Sequence, residues 1–464
     1  MHVQSLATRR VDDWRAGVSH VTLNPNGPGV VRIHLVPPKP SLKPGPWLAI
    51  LNGWYVVPLT SHEARLLRIF MEELPKHAGD GQAPSEEETR QLIGAVKNRM
   101  KGFYPGVAEP RFEEDLTELL SAFSQIARGE PAPPQFQRSM TMGQYASYLL
   151  GPQRMDLVVA PMELNNRWGC PLDCRFCYAK GQRQMSVSQT LSTDEWKRII
   201  DILWTEARVT QLTFTGGEPT TRKDLAELVR YAERFVTRLN TSGVTMTSDL
   251  AQSLGAASLD GVQMTLYSAN AQAHDVLVGV PGAWERTVAG IKNALSAGLN
   301  LSINTPLCRL NAEAYPALLE FLHGLGIRYV SASGLIVAGA AEQALGRQET
   351  LKSDELYAAL KPAKEYCNAN SMDLIFTSPG WLSDVQLQSL GLGSPLCGAC
   401  LTNMAVAPDG TVTPCQSWLN DQGLGNILTL PWSKIWKNPE CSKLRARAGA
   451  GNVCPLKSAQ EEAK

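Results

Sequence analysis

Apolar and polar positions follow two textures along this chain. In the first stretch they alternate with a period of two and then switch to a helical period. Val30-Val31-Arg32-Ile33-His34-Leu35-Val36 alternates between Gly27-Pro28 and Pro37-Pro38, which predicts a strand. Trp47–Leu51 and Trp54–Pro58 flank Asn52-Gly53, a pair that favours a tight hairpin turn. Thr60-Ser61-His62-Glu63 forms a capping box, and the helix beyond it carries Leu66, Leu67, Ile69 and Phe70. Ser85-Glu86-Glu87-Glu88 caps another helix through Met100, and a further helix over 111–128 stops at Gly129. Glu130-Pro131-Ala132-Pro133-Pro134 reads as a linker. Strands followed by short helices predict a winged-helix-like α+β module over 1–109, then a helix-and-linker segment over 110–154.

From about residue 155 apolar strands alternate with longer helices. Strands are predicted at 157–163, 209–214, 235–240, 261–267, 299–305 and 327–333. Helices are predicted between them near 193–207, 222–234, 248–255, 283–297 and 312–324. Six β-then-α steps imply an α/β fold with a parallel sheet and right-handed crossovers, an open or partial (β/α)6 barrel over 155–335. Ligands of such sheets gather at the carboxyl ends of the strands. A helix near 352–369 leads into a cysteine-bearing region that completes a segment over 336–464.

Composition narrows the function classes. At 464 residues and 44% apolar, the chain is long enough for two or three cored domains. Lys+Arg and Asp+Glu both number 44, so no net charge draws it to nucleic acid or anionic lipid. The longest apolar runs, such as Leu157–Met162, are strand-sized, and Met1–Val11 is polar with two arginines. The expectation is a cytoplasmic protein with neither nucleic acid nor membrane as partner. Ten cysteines in a reducing compartment are not disulfides. Three crowd between 170 and 177, three lie between 397 and 415, and Cys441 and Cys454 follow, so two metal sites are expected. Cys308 and Cys367 stand alone.

The first group lies in Asn165-Asn166-Arg167-Trp168-Gly169-Cys170-Pro171-Leu172-Asp173-Cys174-Arg175-Phe176-Cys177-Tyr178, directly after the first predicted strand. Three thiolates on one short loop can wrap one face of a cubane cluster and leave one iron open. Spacing alone leaves a zinc knuckle in play, although zinc prefers a fourth close Cys or His and the nearest histidine downstream is His274. The spacing Cys-x3-Cys-x2-Cys, with aromatic Phe176 before the last cysteine, resembles the radical S-adenosylmethionine superfamily. Thr213-Phe214-Thr215-Gly216-Gly217-Glu218-Pro219 resembles that family's Gly-Gly-Glu-Pro motif and ends the second predicted strand. The resemblance covers roughly 155–335. It implies a 4Fe–4S cluster on Cys170, Cys174 and Cys177 that binds S-adenosylmethionine and cleaves it reductively, giving a 5′-deoxyadenosyl radical that takes a hydrogen atom from substrate. It also implies that Phe176, Gly216, Gly217 and Glu218 face the cofactor, together with Ser242 in the Asn240-Thr241-Ser242-Gly243 turn, Ser268 ending the fourth strand and Asn304 ending the fifth. One departure is visible: the segment His274-Asp275-Val276-Leu277-Val278-Gly279 has Val278 where the family usually has arginine.

The second group begins Cys397-Gly398-Ala399-Cys400 and continues through Gly410 to Cys415. Ala405–Pro414 reads as a hairpin turning at Asp409-Gly410, which would bring Cys400 and Cys415 to the same end. This pattern resembles the SPASM and twitch domains, which carry auxiliary 4Fe–4S clusters. The closing cysteine runs of a full SPASM domain do not follow Cys454, so a shortened one-cluster version is expected, for two clusters in all. Its shell would be Cys397, Cys400, Cys415 and Cys454, with Cys441 the alternative fourth ligand and a zinc ribbon the alternative site.

Cys308 lies just past the fifth predicted strand and is a candidate hydrogen-atom donor to a substrate radical, or else a small buried residue, as Cys367 is expected to be. The strand, hairpin and helix order of 1–109 is similar to the precursor-recognition elements of peptide-maturation enzymes, which hold a leader peptide at a sheet edge. The expectation is a radical enzyme that modifies a ribosomally made precursor peptide by crosslinking, epimerisation or backbone cleavage, drawing electrons from a donor such as flavodoxin or ferredoxin. The alternatives are a radical enzyme for a small sugar, nucleotide or cofactor precursor and, more remotely, a structural zinc protein.

Overall fold

In the computed structural model the four segments read from the sequence fold as two units, Met1–Gln153 with Asp201–Gln211 and Arg234–Val236, and the remainder. The structure describes residues 8–9, 19–23, 30–38, 45–53, 55–77, 84–137, 148–161, 163–164, 167–180, 190–336, 338–342, 348–418, 423–450 and 453–456. Among them no helix is long and apolar enough to cross a membrane.

The first unit holds an antiparallel meander, β1 (Thr8–Arg9), β2 (Ser19–Leu23), β3 (Val31–Val36), β4 (Trp47–Leu51) and β5 (Tyr55–Leu59). Three helices follow, α1 (Ser61–His77), α2 (Glu86–Phe103) and α3 (Glu109–Ala127). The strand-then-helix order matches the reading, but the sheet is larger and the helices run to 17, 18 and 19 residues. They are long because their apolar stripes continue: Val21, Ile33 and Leu35 share one core with Leu67, Phe70 and Phe123. Both capping boxes form, Thr60 with Glu63 and Ser85 with Glu88. The Asn52-Gly53 turn is left-handed at both residues (φ 49° and 72°), and the Asn52 side chain accepts from Arg32 N at 2.7 Å and donates to Val30 O at 3.1 Å. Leu51 pairs with Tyr55, so the second strand starts one residue later than predicted; Trp54 lies outside the described residues. Pairing of β2 with β3 buries His20 and His34, their rings stacked at 4.6 Å.

The second unit is built on a sheet of ten strands. Its elements are β6 (Arg154–Ala160), the short hairpin β7 (Glu163–Leu164) and β8 (Arg167–Trp168), α4 (Thr193–Thr205), β9 (Gln211–Gly216), α5 (Leu225–Tyr231), β10 (Val236–Thr241), α6 (Ser248–Ala256) and β11 (Gly261–Thr265). There follow α7 (Ala271–Val278), α8 (Ala283–Ser296), β12 (Leu301–Leu307), α9 (Tyr315–Gly324), β13 (Tyr329–Gly334), α10 (Ser353–Ala369) and β14 (Asp373–Phe376). The chain closes with α11 (Asp384–Ser389), β15 (Asn403–Val406), β16 (Thr411–Thr413), β17 (Gly425–Asn426), α12 (Trp432–Trp436) and α13 (Pro439–Ala450). The sheet order is β14-β13-β12-β11-β10-β9-β6-β15-β16-β17, with β10 to β14 parallel in turn. All six predicted strands are present, shifted by up to three residues. Strands from beyond residue 335 extend the sheet at both ends: β14 beside β13, and the β15–β16 hairpin through parallel pairing of β15 with β6.

Alternation along the strands separates two faces. In β12, Leu301, Ile303, Thr305 and Leu307 are buried while Ser302, Asn304 and Pro306 are half-buried. Register aligns Asn240 with Gln263, Gln263 with Ser302, and Thr265 with Asn304 and Ser331, so one face of the sheet is a polar floor.

Candidate metal centres

The first thiol group sits on the loop after β8. It does not follow the first strand directly, because the β7–β8 hairpin intervenes; Asn165 and Asn166 lie outside the described residues. Two segments clamp its backbone. Asp173 N donates to Val278 O at 2.9 Å and Arg175 N to Leu277 O at 3.0 Å, while on the other side Ala340 N donates to Cys177 O at 3.0 Å. Both clamps end in glycines with no room for a side chain. A Cβ on Gly279 (φ 72°) would lie 2.5 Å from Asp173 O, and one on Gly339 (φ 61°) 2.5 Å from Tyr178 O and 2.7 Å from Cys177 O. Arg175 reaches Glu349 at 2.7 Å. Beneath the loop lies an apolar cluster of Leu172, Phe176, Tyr267, Leu277, Val278 and Cys308, with Cys170 and Cys174 against it. Val278, the departure from the family's arginine, therefore works by its carbonyl and by apolar packing.

Burial pushes the Cys170 thiol up to about 12, with Glu218 and Cys177 adding negative charge; Cys174 and Cys177 are also raised, foremost by burial. Three clustered thiols that cannot ionise alone call for a cation that takes them as thiolates. Among the described residues no three His, Cys, Asp or Glu side chains converge as ligands of one ion. A cubane spreads its thiolates over separate irons, so its ligands stand further apart than those of a single ion. Three thiols on one short, doubly clamped loop fit one face of an iron–sulfur cluster.

The turn after β9 meets the end of β6. Gly217 N donates to Ala160 O at 2.8 Å, and a Cβ on Gly216 (φ 151°) would lie 2.4 Å from that oxygen. Glu218, read as a cofactor contact, has its carboxylate taken up by the chain itself. Oε1 accepts from Thr220 N (3.1 Å), Thr220 Oγ1 (2.5 Å) and Thr241 Oγ1 (2.5 Å); Oε2 accepts from Ser242 N (2.8 Å) and Ser242 Oγ (2.5 Å). A carboxylate has about four lone-pair sites, and these bonds fill them. Glu218 thus ties the turn after β9 to the one after β10, and the Ser242 hydroxyl is likewise engaged. Ser268 is buried, its Oγ accepting from Asn270 N at 3.0 Å. Asn304 is not at a strand end as read; it lies in mid-β12 on the polar floor and accepts from Ser331 Oγ at 2.9 Å. Phe176 and Cys308 are wholly packed in the apolar cluster, where burial raises the Cys308 thiol to about 11. Cys308 therefore stands among the residues bracing the loop.

Two residues carried a signal that sequence reasoning passed over. Asp156 is a lone carboxylate in an apolar strand. It is fully buried, raised by burial, and paired with Arg154 at 3.0 Å. Tyr178, next to Cys177, packs on Val158 and Ala407 and hydrogen-bonds Thr215; burial first, then Cys177, Asp156 and Cys415, hold its phenol protonated.

The second group forms around the predicted hairpin. Gly410 (φ 85°) makes the turn, Asp409 Oδ1 accepts from Thr411 N at 3.0 Å, and Ala405 pairs with Thr413, which puts Cys400 and Cys415 at one end. The Cys400 N–H lies between Asn403 O (3.1 Å) and Pro414 O (3.2 Å). Two thiol pairs form here, with Cys415 near both. Cys454 hydrogen-bonds Cys397, Cys441 hydrogen-bonds Cys400, and Cys415 stands within electrostatic reach of Cys397, Cys400 and Cys454. Arg445 donates to Cys441 Sγ at 3.6 Å and lies 3.7 Å over the Trp436 ring. The bond to Cys400 and the Arg445 charge hold Cys441 toward thiolate.

A part-barrel carries a half-buried three-thiol loop at its first βα connection, and a hairpin bearing more thiols extends its sheet. Residues 169–322 match the family model of the radical SAM superfamily, and 397–456 that of SPASM, an iron–sulfur cluster-binding domain. Residues 169–322 thus form a radical SAM domain and 397–456 a SPASM-type domain, whose cofactors are 4Fe–4S clusters and S-adenosylmethionine. The chain is 28% identical over 287 residues to an AdoMet-dependent heme synthase of Oleidesulfovibrio alaskensis, covering 58% of this chain and 72% of that protein. It is 28% identical over 304 residues to a PqqA peptide cyclase of Granulibacter bethesdensis, covering 63% and 78%. In fold it is similar to Streptococcus suis SuiB crystallised with its precursor peptide SuiA: TM-score 0.57, 14% identity, 86% of this chain and 87% of that one.

Proposed function

We propose that this enzyme modifies a ribosomally made precursor peptide by radical hydrogen abstraction. The observation that carries the reading is the first unit: a meander whose last strand, β5, is terminal in its sheet and leads directly into three helices. A terminal strand offers main-chain donors and acceptors to an extended peptide. The likeness to SuiB over 86% of the chain is more than the second unit alone can supply, and the PqqA cyclases add peptide-acting relatives.

Cys170, Cys174 and Cys177 would hold the first cluster, and Cys397, Cys400, Cys415 with Cys454 the second. When bound, the first cluster and S-adenosylmethionine supply a carbon radical that abstracts a hydrogen atom. The chain's own part is to place and to shield. The two clamps fix the thiol loop, the Gly216-Gly217 turn brings backbone close to the cofactor position, and Glu218 holds the Ser242 turn beside it. The apolar cluster excludes water on one side, and the polar floor of Gln263, Ser302 and Asn304 receives substrate on the other. A cytoplasmic reductant such as flavodoxin or ferredoxin would supply electrons.

The test is to incubate reduced, cluster-loaded enzyme and S-adenosylmethionine with a precursor encoded beside its gene. The expected result is a change in peptide mass or stereochemistry. An unchanged peptide, with cofactor consumed productively on a small molecule, overturns the reading in favour of the small-molecule alternative that the heme synthase relatives support.

A further inference from the structure

We propose that Tyr178 is the residue through which the two thiolate centres exchange an electron. The proposal rests on both thiol groups holding clusters and is independent of the substrate.

The strand pair β6–β15 spans the two centres. The first group follows the end of β6, by way of the β7–β8 hairpin. The second sits at the start of β15, where Cys400 precedes the strand and Cys415 follows its antiparallel partner β16. The shared register runs from Arg154–Asn403 to Leu157–Val406, so the two ends are separated by about 10 Å of strand. Tyr178 is the residue after Cys177. Its ring lies on Val158 and Ala407, the next step of that same strand pair, and its phenol is tethered to Thr215 on β9. Cys177, Cys415 and Asp156 all lie within its electrostatic reach. A rigid aromatic side chain thus occupies the interval between the centres and is fixed at both ends, by its backbone beside Cys177 and by its hydroxyl. A Cβ on Gly339 would lie 2.5 Å from the Tyr178 carbonyl oxygen, so glycine is needed for the backbone to pass there.

The step is a one-electron transfer. The reduced centre is oxidised, the other is reduced by the same electron, and no proton or covalent bond changes place. A route of this kind returns the electron of a substrate radical to the chain or feeds the first centre from the second.

The experiment uses the full chain, anaerobically reconstituted, with iron and sulfide counted before each measurement. Photoreduction to one electron per chain is followed by freeze-quench EPR, which reads how fast the electron redistributes between the two signals. Tyr178→Phe, which keeps the ring but loses the tether to Thr215, is expected to slow about threefold, as Thr215→Val does. Tyr178→Leu is expected to slow by about tenfold at equal iron content. Thr215→Val, which frees the phenol and leaves every thiol in place, is the second arm and is expected to slow about threefold. Wild-type rates in both Tyr178→Leu and Thr215→Val overturn the proposal. A reconstituted wild type with no second cluster overturns the two-cluster basis itself, and iron counting separates that result from the first.

Discussion

Glu218 shows how a residue legible in the sequence as part of a turn can also tie two turns together. Its motif marked the turn, and the structure gives its carboxylate five donors from Thr220, Thr241 and Ser242. Glu218→Gln turns one accepting oxygen into a donor that faces other donors, at a cost of about 2 kcal/mol. The expected outcome is a lower unfolding midpoint and about tenfold weaker S-adenosylmethionine binding, read by thermal unfolding and calorimetry, with first-cluster iron retained. Gly339→Ala places a Cβ against three carbonyl oxygens in a left-handed conformation, a strain of about 1–3 kcal/mol. Reconstituted iron at the first centre should fall while the second keeps its own, as measured by EPR. The glycines of the clamps were not legible as such: Gly339 lies 162 residues beyond Cys177, the nearest thiol of the first group, and only the tertiary fold sets it there.

At the scale of elements, β2 and β3 bury His34 against His20, and burial lowers its pKa from the ordinary 6.5 to about 4. The fold holds the neutral form, with Nε2 donating to Arg234 O at 2.9 Å. This contribution is fully present above pH 6.5 and is lost as pH falls toward 4, amounting to about 2 kcal/mol by pH 5. Denaturant titrations at pH 7 and pH 5 should show that loss, and His34→Gln, which keeps the donor without titrating, should remove most of it. In the second unit, Cys454→Ser is expected to remove about four irons per chain while Cys441→Ser retains them, as determined by iron analysis. Strand existence was legible because apolar runs and turn residues punctuate them. Strand ends were not: β6 begins at Arg154 because pairing with β15 draws a charged residue into the sheet, which no local pattern reveals. The short helix α7 was missed because eight residues carry little periodicity; Asn270 caps it and Gly279 ends it. The hairpin at Asp409-Gly410 was read correctly because its turn chemistry is local.

For the whole molecule, two sheets organise two units, and the α/β alternation that predicted the larger one also located its first centre. What the alternation could not give was the pairing of thiols from 397 to 454, Cys397 with Cys454 and Cys400 with Cys441, which only the tertiary fold brings about. Because the thiols of both centres would bind metal as thiolates in the folded chain, cluster loading should stabilise the chain as a ligand does. Chelation is expected to lower the thermal midpoint and to open the 170–180 loop to proteolysis, measured by calorimetry and limited digestion.

The parallel pairing of β6 with β15 has an engineering consequence. The thiol-bearing C-terminal region looks like a module to be exchanged between enzymes, yet its first strand is a hydrogen-bonded member of the barrel sheet. A cut ahead of Cys397 would bare the β6 edge, with Asp156 beneath it, and leave an adhesive strand exposed to other chains. A graft that carries β6 together with β15–β17 would move an intact seam; one that carries the cysteines alone would yield an aggregating chimera.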